Sequence, residues 1–379
     1  MPTISSALIE DRMGAVARVQ REPMQVTLEI IATCNFACKH CYIAPGAERD
    51  DVMSLERAQQ LFDSFAAAGT MSLLLTGGEV LTHRQFREIY RSAKQHGFLV
   101  YVNTNGYLIG ERWADFFAES VPHTVSISLY GMSNERYEAV TGIPNAFRRV
   151  EHALDLLEAR GINYTLKCPA FALTADEIPA MQAYAKARGV RFSWDAVITP
   201  HENGGLAPVR LQLAPREVQA LGERLDPGGV NTLSYFTPRV KPHNGRVYSC
   251  GAGRQAMHVT VKGDVTTCTS SRHPVGNIFR DGFDHVWGKL GEKVSLRFRA
   301  GHPCEKCQFR SVCYSCPANV EAITNAPDGY VPHYCKMTHL RAHGVGLHPT
   351  GVPRTMLEGV PTHVQQPGAA VRRALPVLV

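Results

Sequence analysis

The sequence predicts an α/β fold, a parallel sheet with helices on its outside, followed by a cysteine-rich segment. Strand–helix alternation repeats about six times between residues 25 and 197, and such alternation implies parallel strands covered by helices. Seven of the eleven cysteines fall between residues 250 and 335. The first observation gives the fold class, and the second predicts a separate region rich in thiol ligands.

Strands are predicted where apolar residues alternate or run together, and helices where they recur every three or four residues. The predicted strands are 25–31, 72–75, 99–103, 124–129, 163–168 and 191–197. The predicted helices are 54–69, 83–97, 110–119, 146–160 and 174–188, with another near 215–225. A hairpin is indicated over 257–269, where Gly263-Asp264 supplies the turn.

The chain divides into five segments by composition and pattern. An N-terminal segment, 1–24, precedes the barrel segment, 25–200, and a bridge rich in Pro, Gly and Asn covers 201–249. The cysteine-rich domain is 250–343. A tail without periodicity, 344–379, completes the chain.

The composition is ordinary for a globular protein, with 44% apolar and 20% charged residues and a net charge of +6. No apolar run approaches the roughly 20 residues of a membrane span. No block of five or six basic residues occurs, which argues against nucleic-acid binding. Glu10 and Asp11 lie where a signal peptide needs an apolar core. We therefore expect a cytoplasmic protein that uses its cysteines as ligands, not in disulfides.

Three cysteines follow the first strand with the spacing C-x3-C-x2-C, namely Cys34, Cys38 and Cys41. A structural zinc ion or a fully ligated iron–sulfur cluster takes four protein ligands. Three thiolates around four irons leave one iron open to a small molecule. Zinc is the alternative, but it needs a fourth ligand, and His40 inside the motif reaches the site poorly.

This motif, followed by the aromatic Tyr42, resembles the signature of the radical SAM superfamily. The resemblance implies a partial (β/α)6 TIM-like barrel and a 4Fe–4S cluster whose open iron chelates S-adenosylmethionine. It also implies an enzyme that reductively cleaves this cofactor to a 5′-deoxyadenosyl radical, which removes a hydrogen atom from the substrate. Ligands in such barrels gather at the C-terminal ends of the strands.

Several strand ends resemble the cofactor-binding segments of this family. Gly77, Gly78 and Glu79 end the second strand and match the segment that binds the amino group of the methionine moiety. Glycines there allow close approach to the backbone. Asn105 and Ser128, at the ends of the third and fourth strands, match cofactor-facing positions, with Ser128 as a ribose or carboxylate contact.

Two further contacts are implied by the resemblance. Arg149 is placed like the arginine that pairs with the methionine carboxylate, a role that suits its planar fork. Its neighbour Arg148 is the alternative, and a helix arginine is usually only solvated. Tyr42 resembles the aromatic residue beside the adenine.

The C-terminal cysteines resemble the SPASM domain of radical SAM maturases, which holds two auxiliary 4Fe–4S clusters, so that three clusters are expected in all. One gap departs from the family, with two residues where three are more frequent. The resemblance implies an outer cluster on Cys304, Cys307, Cys313 and Cys335 and an inner one on Cys250, Cys268 and Cys316. The inner set lacks a fourth cysteine, which leaves an open iron or a non-cysteine ligand.

Zinc is the alternative for this segment because C-x2-C pairs are its commonest spacing. Seven thiolates exceed one tetrahedral site and suit two clusters better than two zinc ions.

Cys168 ends the fifth strand and belongs to neither set. One interpretation is a thiol that donates a hydrogen atom to a substrate radical. The other is a small buried apolar residue, which free cysteine commonly is.

The resemblance implies a maturase that modifies a ribosomally made peptide by cross-linking, oxidation or epimerisation. An epimerase or dehydrogenase acting on a sugar or other small molecule is the alternative, and an iron–sulfur electron carrier is a third. The Gly-Gly-Glu segment argues against a carrier, which needs no cofactor site. We expect a reductant such as flavodoxin or ferredoxin. Only about 24 residues precede the first strand, so peptide recognition would need a separate protein or another surface.

Overall fold

The structure is a computed structural model that describes residues 20–44, 51–237, 239 and 244–347. The chain forms two compact units. The first comprises Met1–Leu213, Asn244–Glu305 and Cys316–Tyr330. The second comprises Ala214–His243, Lys306–Ser315 and Val331–Val379. The predicted tail lies outside the described residues from position 348 onward.

The first unit is built on six parallel strands, as the sequence predicts. They pair in the order β6-β5-β4-β3-β2-β1. Their bounds are β1 Gln25–Ile31, β2 Ser72–Gly77, β3 Leu99–Thr104, β4 Thr124–Ser128, β5 Tyr164–Pro169 and β6 Phe192–Asp195.

Helices connect successive strands of this sheet. They are α1 Leu55–Ala67, α2 Phe86–Gln95, α3 Glu111–Glu119, α4 Asn134–Thr141, α5 Ala146–Ala159 and α6 Ile178–Ala187. The helix α4 was not predicted, since it is short and carries few apolar residues. The parallel sheet and its helices confirm the predicted partial (β/α)6 TIM-like barrel.

The strands place apolar residues on one face and polar residues on the other. Leu28, Leu75 and Val102 lie on the face that packs against the helices and are fully buried. On the opposite face, Ser128 of β4 lies beside Lys167 of β5 in the parallel register. We call this second face the polar face. Its side chains converge at the strand ends, where the candidate site lies.

The cysteine-rich region continues the same sheet. The strand β7 (Ala256–Val259) pairs in parallel with β1, and β8 (Asp264–Thr266) and β9 (Gly276–Asn277) follow antiparallel. The predicted hairpin between β7 and β8 is confirmed. It turns at Gly263, whose φ of +91° favours glycine. Helices α9 (Ile278–Asp281), α10 (Phe283–Val294) and α11 (Pro317–Thr324) complete the first unit.

The second unit is helical in its described part. It contains α7 (Pro215–Leu225), which the sequence predicts, together with α8 (Val230–Phe236) and α12 (Pro332–Gly344). Helix α7 packs against α12. The core of this unit includes Phe236, Phe309, Val312 and Ala342. Within the described residues of both units, no helix is long and apolar enough to span a lipid bilayer.

Candidate functional site

The loop that carries Cys34, Cys38 and Cys41 leaves the end of β1 and is fixed by the elements around it. We call residues 32–44 the cysteine loop. The backbone N–H groups of Ala37 and Lys39 each donate to a carbonyl at the end of α4, at 3.0 Å. The side-chain amide of Asn105 donates to Asn35 Oδ1 at 2.8 Å. The three cysteines are therefore held by a rigid frame.

The three cysteines form no disulfide bond, and their thiols lie close enough to influence one another. Burial raises the pKa of Cys38, and the negative charges of Cys41 and Cys34 raise it further, while a hydrogen bond from Tyr130 opposes them. Three thiolates in one buried loop need a positive group, which an iron cluster supplies. No three His, Cys, Asp or Glu side chains of the described chain converge on a single ion position. A cluster needs no such convergence, because each cysteine binds a different iron.

The glycines at the end of β2 are required by the cysteine loop itself. The N–H of Gly78 donates to Ile31 O at 2.8 Å, and that of Glu79 donates to Thr33 O at 2.9 Å. A Cβ atom at Gly78 would lie 2.2 Å from Thr33 O, and one at Gly77 would lie 2.1 Å from Ile31 O. Close backbone approach is needed here, as predicted, but the approaching group is the chain's own loop.

Glu79 joins the ends of β2 and β3. Its carboxylate is 1% exposed and accepts hydrogen bonds from the Thr104 hydroxyl at 2.7 Å and the Asn105 N–H at 2.7 Å. It also accepts the N–H of Leu81 at 3.1 Å. Burial raises the pKa of Glu79 despite these bonds. The carboxylate is committed to the strand ends, so an ammonium group at this segment would bind chiefly to backbone carbonyls.

An aromatic pair, Tyr107 and Phe36, connects Arg149 to the cysteine loop. Its guanidinium lies 4.9 Å from the ring centroid of Tyr107, and Tyr107 packs edge-on against Phe36 of the loop at 5.5 Å. Arg149 and its alternative Arg148 are both exposed. The carboxylate contacts of Arg149 and of Ser128 on the polar face therefore stay predictions.

Tyr42 is the first member of a buried polar chain. Its hydroxyl donates to Glu29 Oε1 at 2.7 Å, and that oxygen lies 3.2 Å from His258 Nε2. His258 Nδ1 contacts Thr266 Oγ1 at 2.8 Å. Burial favours a raised pKa for Glu29, but His258 and the Tyr42 hydroxyl hold it below its usual value. Arg272 covers one face of the Tyr42 ring at 4.7 Å, and the predicted adenine contact stays a prediction.

His40 and Tyr130 were not singled out by the sequence analysis as site residues. The His40 ring contacts Tyr130 at 5.2 Å and Phe171 at 4.9 Å between ring centroids. Burial lowers the pKa of His40 to about 4, so the imidazole is neutral at pH 7. The signal available in the sequence was an aromatic ring between the second and third cysteines.

The three predicted ligands of the inner cluster lie together in the first unit. Burial and the proximity of Cys250 raise the pKa of Cys268. Burial, Cys268 and Cys250 raise the pKa of Cys316 to about 12. Ser271 Oγ and Asn319 Oδ1, each three residues from one of these cysteines, are buried without a hydrogen-bond partner in the described chain. Such polar atoms are consistent with room for a bound group.

The predicted outer set is divided between the two units. In the second unit, burial and the nearby Cys313 thiolate raise the pKa of Cys307. The sulfur of Cys313 accepts the Thr338 hydroxyl at 3.3 Å, one helical turn beyond Cys335 on α12. Cys304 belongs to the first unit. The complete outer set stays a prediction.

Neighbouring residues of β5 point to opposite faces. Cys168 is 2% exposed and lies on the helix-facing side, beside Trp194 of β6, with its thiol donating to Pro169 O at 3.3 Å. This placement favours packing over hydrogen-atom donation. Lys167 lies on the polar face, and burial lowers its pKa to about 8, although Glu79 opposes the shift. The signal for Lys167 was a lone lysine within an apolar strand.

Two family models match the chain. The Radical SAM superfamily model matches residues 28–184, and the SPASM model, an iron–sulfur cluster-binding domain, matches residues 250–317. The first begins within β1 and ends within α6, so it includes β2 to β5 and the cysteine loop but not β6. The second covers the inner cysteines and part of the predicted outer set.

Curated relatives match most of the chain at low identity. The subtilosin biosynthesis protein AlbA of Bacillus subtilis is 23% identical, over 78% of this chain and 67% of that protein. The mycofactocin maturase MftC of Mycobacterium ulcerans is 29% identical, over 77% and 82%. An AdoMet-dependent heme synthase of Methanosarcina barkeri is 23% identical, over 80% and 93%.

Solved structures share the fold. Streptococcus suis SuiB, crystallised with its precursor peptide SuiA, superimposes with a TM-score of 0.66 at 15% identity, over 85% of this chain and 79% of SuiB. The fold, the cysteine loop and both family matches agree. The chain therefore belongs to the radical SAM superfamily, as an enzyme whose C-terminal region carries a SPASM iron–sulfur cluster-binding domain.

Proposed function

We propose that the protein cleaves S-adenosylmethionine reductively and uses the resulting radical to modify a ribosomally made peptide, by cross-linking, oxidation or epimerisation. The observation that carries this proposal is the group of three cysteines, none of them in a disulfide, in a loop fixed against Gly78 and Glu79. When bound, a cluster at these thiols supplies the electron that divides the cofactor into methionine and a 5′-deoxyadenosyl radical.

The chain's own residues orient the cofactor and the substrate. The Gly77–Glu79 segment presents its backbone at the end of β2, with Glu79 fixing the neighbouring strand end. Ser128 and Arg149 would bind the methionine carboxylate, and Tyr42 would lie by the adenine. The polar face offers Ser128, Lys167 and Asp195 to a substrate. Orientation of the reacting carbon beside the radical is the main contribution of the protein.

A peptide substrate is supported by the relatives. MftC is named as a maturase, and SuiB was crystallised with a precursor peptide. The heme synthase relative favours the alternative, an epimerase or dehydrogenase that acts on a sugar or another small molecule. Both substrates would use the same cofactor site.

The proposal includes three 4Fe–4S clusters, on the cysteine loop and on the inner and outer sets. It also includes a cytoplasmic location, a reductant such as flavodoxin or ferredoxin, and recognition of the peptide by a separate protein or by another surface. The inner set is supported by the proximity of Cys250, Cys268 and Cys316. An iron on that set without a cysteine would be free to bind substrate.

The proposal is tested by anaerobic incubation of the reconstituted enzyme with a reductant, S-adenosylmethionine and candidate precursor peptides, including any short peptide encoded beside its gene, in deuterated water. Deuterium gain in the peptide indicates epimerisation, and a loss of two mass units indicates cross-linking or dehydrogenation. The matched control is Cys38→Ala. Formation of 5′-deoxyadenosine with an unchanged peptide would contradict the peptide assignment and favour a small molecule.

A further inference from the structure

We propose that Arg272 binds a carboxylate group of the substrate, beside the cysteine loop. This inference rests on the proposed function and adds a chemical feature that the substrate must carry. For a peptide, that feature is an aspartate or glutamate side chain or the C-terminal carboxylate.

Arg272 connects the two cysteine-bearing regions of the first unit, because it is near Cys268 in sequence and contacts Tyr42 of the cysteine loop. It follows Cys268 by four residues, and its guanidinium carbon lies 4.7 Å from the centroid of the Tyr42 ring, the residue after Cys41. Tyr42 is itself fixed by its hydrogen bond to Glu29. The guanidinium therefore lies over the face of a ring that is itself held by a hydrogen bond, which orients its edge before a ligand arrives.

One edge of this guanidinium lacks a partner. The Nε and Nη2 atoms of Arg272 are both buried, and neither has a hydrogen-bond partner in the described chain. These two nitrogens carry parallel N–H bonds, the edge that a carboxylate binds with both oxygens. Buried charged donors are normally paired, because leaving them unpaired is costly.

The acidic groups that influence Arg272 do not occupy this edge. The negative groups that act on it are Tyr42, Glu29, Glu202 and Cys268. Neither carboxylate lies within 4.0 Å of the guanidinium, since no such ion pair of Arg272 is found in the described chain. The edge therefore keeps two unused donors for an anion.

Two carboxylates could reach this site, that of the methionine moiety of S-adenosylmethionine and that of the substrate. The cofactor carboxylate is predicted at Ser128, which ends β4, and at Arg149, which lies on α5. Arg272 lies over Tyr42, which follows β1, and the sheet places β3 and β2 between β4 and β1. Three inter-strand spacings amount to roughly 14 Å along the sheet. We therefore assign the Arg272 edge to the substrate.

The test uses the reconstituted, reduced holoenzyme and two small probes, N-acetylglutamate α-methylamide and its glutamine counterpart. Reduced iron–sulfur clusters are paramagnetic, so binding nearby accelerates the relaxation of the acetyl protons. We expect the acid probe, and not the amide probe, to show this effect with the wild type. Arg272→Gln should reduce it at least tenfold, and Arg272→Lys, which keeps the charge but loses the fork, should give an intermediate value.

Binding of S-adenosylmethionine and uncoupled formation of 5′-deoxyadenosine are measured on the same samples. We expect the acid-probe effect to fall further than either of them in Arg272→Gln, which distinguishes a lost substrate contact from a damaged cofactor site. If Arg272→Gln binds less iron than the wild type, Arg272→Lys is compared with the wild type instead.

Three outcomes would overturn the inference. The two probes could relax equally with the wild type, or the acid probe could be insensitive to Arg272→Gln, and in either case Arg272 does not form a carboxylate site. A tenfold weaker binding of S-adenosylmethionine by Arg272→Gln would assign the edge to the cofactor instead. Failure of the wild type to cleave S-adenosylmethionine would refute the proposed function and leave the probe result standing.

Discussion

At the scale of residues, the polar face of the barrel is defined by a few charged groups whose burial shifts their pKa. Lys167 is the cation on β5, and burial lowers its pKa to about 8. Glu79 nearby is buried and accepts three hydrogen bonds. Such shifted groups are frequent where a protein binds ligands or reacts. Burial of a charged group lowers the free energy of unfolding by a measurable amount, and this gives the first prediction.

Lys167→Met should stabilise the protein at pH 7. A folded-state pKa near 8 lies below the unfolded value of about 10.4, so burial of the charged form destabilises the fold below pH 8. Between those values the unfolded chain binds more protons, and stability rises with pH. The gain from Lys167→Met should be at most roughly 3 kcal/mol at pH 7.

The measurement is the midpoint of thermal unfolding at pH 7.0 and pH 9.5 for Lys167→Met and wild type, without S-adenosylmethionine. The gain should shrink at the higher pH. The exposed Lys186→Met is the control and should change little. A gain that is equal at both pH values would show that the charge of Lys167 is not the cause.

Cys168→Ala should leave the modified product unchanged. The thiol is 2% exposed and lies on the helix-facing side of β5, so we expect it to contribute packing and not a hydrogen atom. The small cavity should lower stability by about 1 kcal/mol. The measurement is the mass and stereochemistry of the product formed in deuterated water. Loss of the product, or a change in its stereochemistry, at unchanged iron content would restore the donor role of Cys168.

At the scale of elements, the site depends on the meeting of the end of β2 with the cysteine loop. The backbone of Gly78 and Glu79 bonds to the start of that loop, and no side chain fits between them. The glycine requirement is thus a matter of packing between two backbone segments. This packing fixes the position of the predicted cofactor segment relative to the predicted cluster ligands.

Gly78→Ala should separate the cysteine loop from β2. The added Cβ would lie 2.2 Å from Thr33 O, a contact that only a backbone shift relieves. We expect the loss of about four irons per chain, the content of one cluster, and at least a hundredfold slower formation of 5′-deoxyadenosine. Iron analysis and product formation are the measurements.

The matched control is Gly288→Ala in α10, where an added Cβ meets nothing within 4 Å. Alanine in a helix interior should raise stability by up to about 1 kcal/mol and leave the iron content unchanged. Equal iron content in Gly78→Ala and Gly288→Ala would contradict the packing argument.

The elements that the sequence predicts best are those with a strong period. Strand β1 and helix α5 appear within one residue of their predicted bounds, because alternation and a helical apolar face are local properties. The short helix α4 carries few apolar residues, so its formation depends on packing. The pairing of β7 with β1 joins residues more than 200 positions apart, which no local pattern reveals.

The residues of the candidate site likewise divide into those that a local sequence motif reveals and those that only the fold brings together. Its cysteines and its Gly-Gly-Glu segment are contiguous motifs and could be identified from spacing. Arg272 and His258 lie far from the cysteine loop in sequence and reach Tyr42 and Glu29 only through the pairing of β7 with β1. These residues belong to the site because the fold buries them beside Tyr42 and Glu29, and no local sequence pattern shows that burial.

At the scale of the whole molecule, one nine-stranded sheet spans the barrel and the start of the cysteine-rich region. The polar chain from Tyr42 through Glu29 and His258 to Thr266 crosses from β1 to β8. Thr266 in turn donates to Cys268 O at 3.0 Å. The cysteine loop and Cys268, a predicted ligand of the inner cluster, are therefore parts of one continuous framework within the first unit.

The central claim, an iron left open for S-adenosylmethionine by Cys34, Cys38 and Cys41, is tested most directly by magnetic resonance of the reduced, oxygen-free enzyme. Cofactor labelled with 15N in its amino group and 17O in its carboxylate is added to the wild type and to Cys38→Ala. The account predicts a changed spectrum and hyperfine coupling from both labels in the wild type, and neither in Cys38→Ala. An unchanged wild-type spectrum without coupling to either label would contradict it.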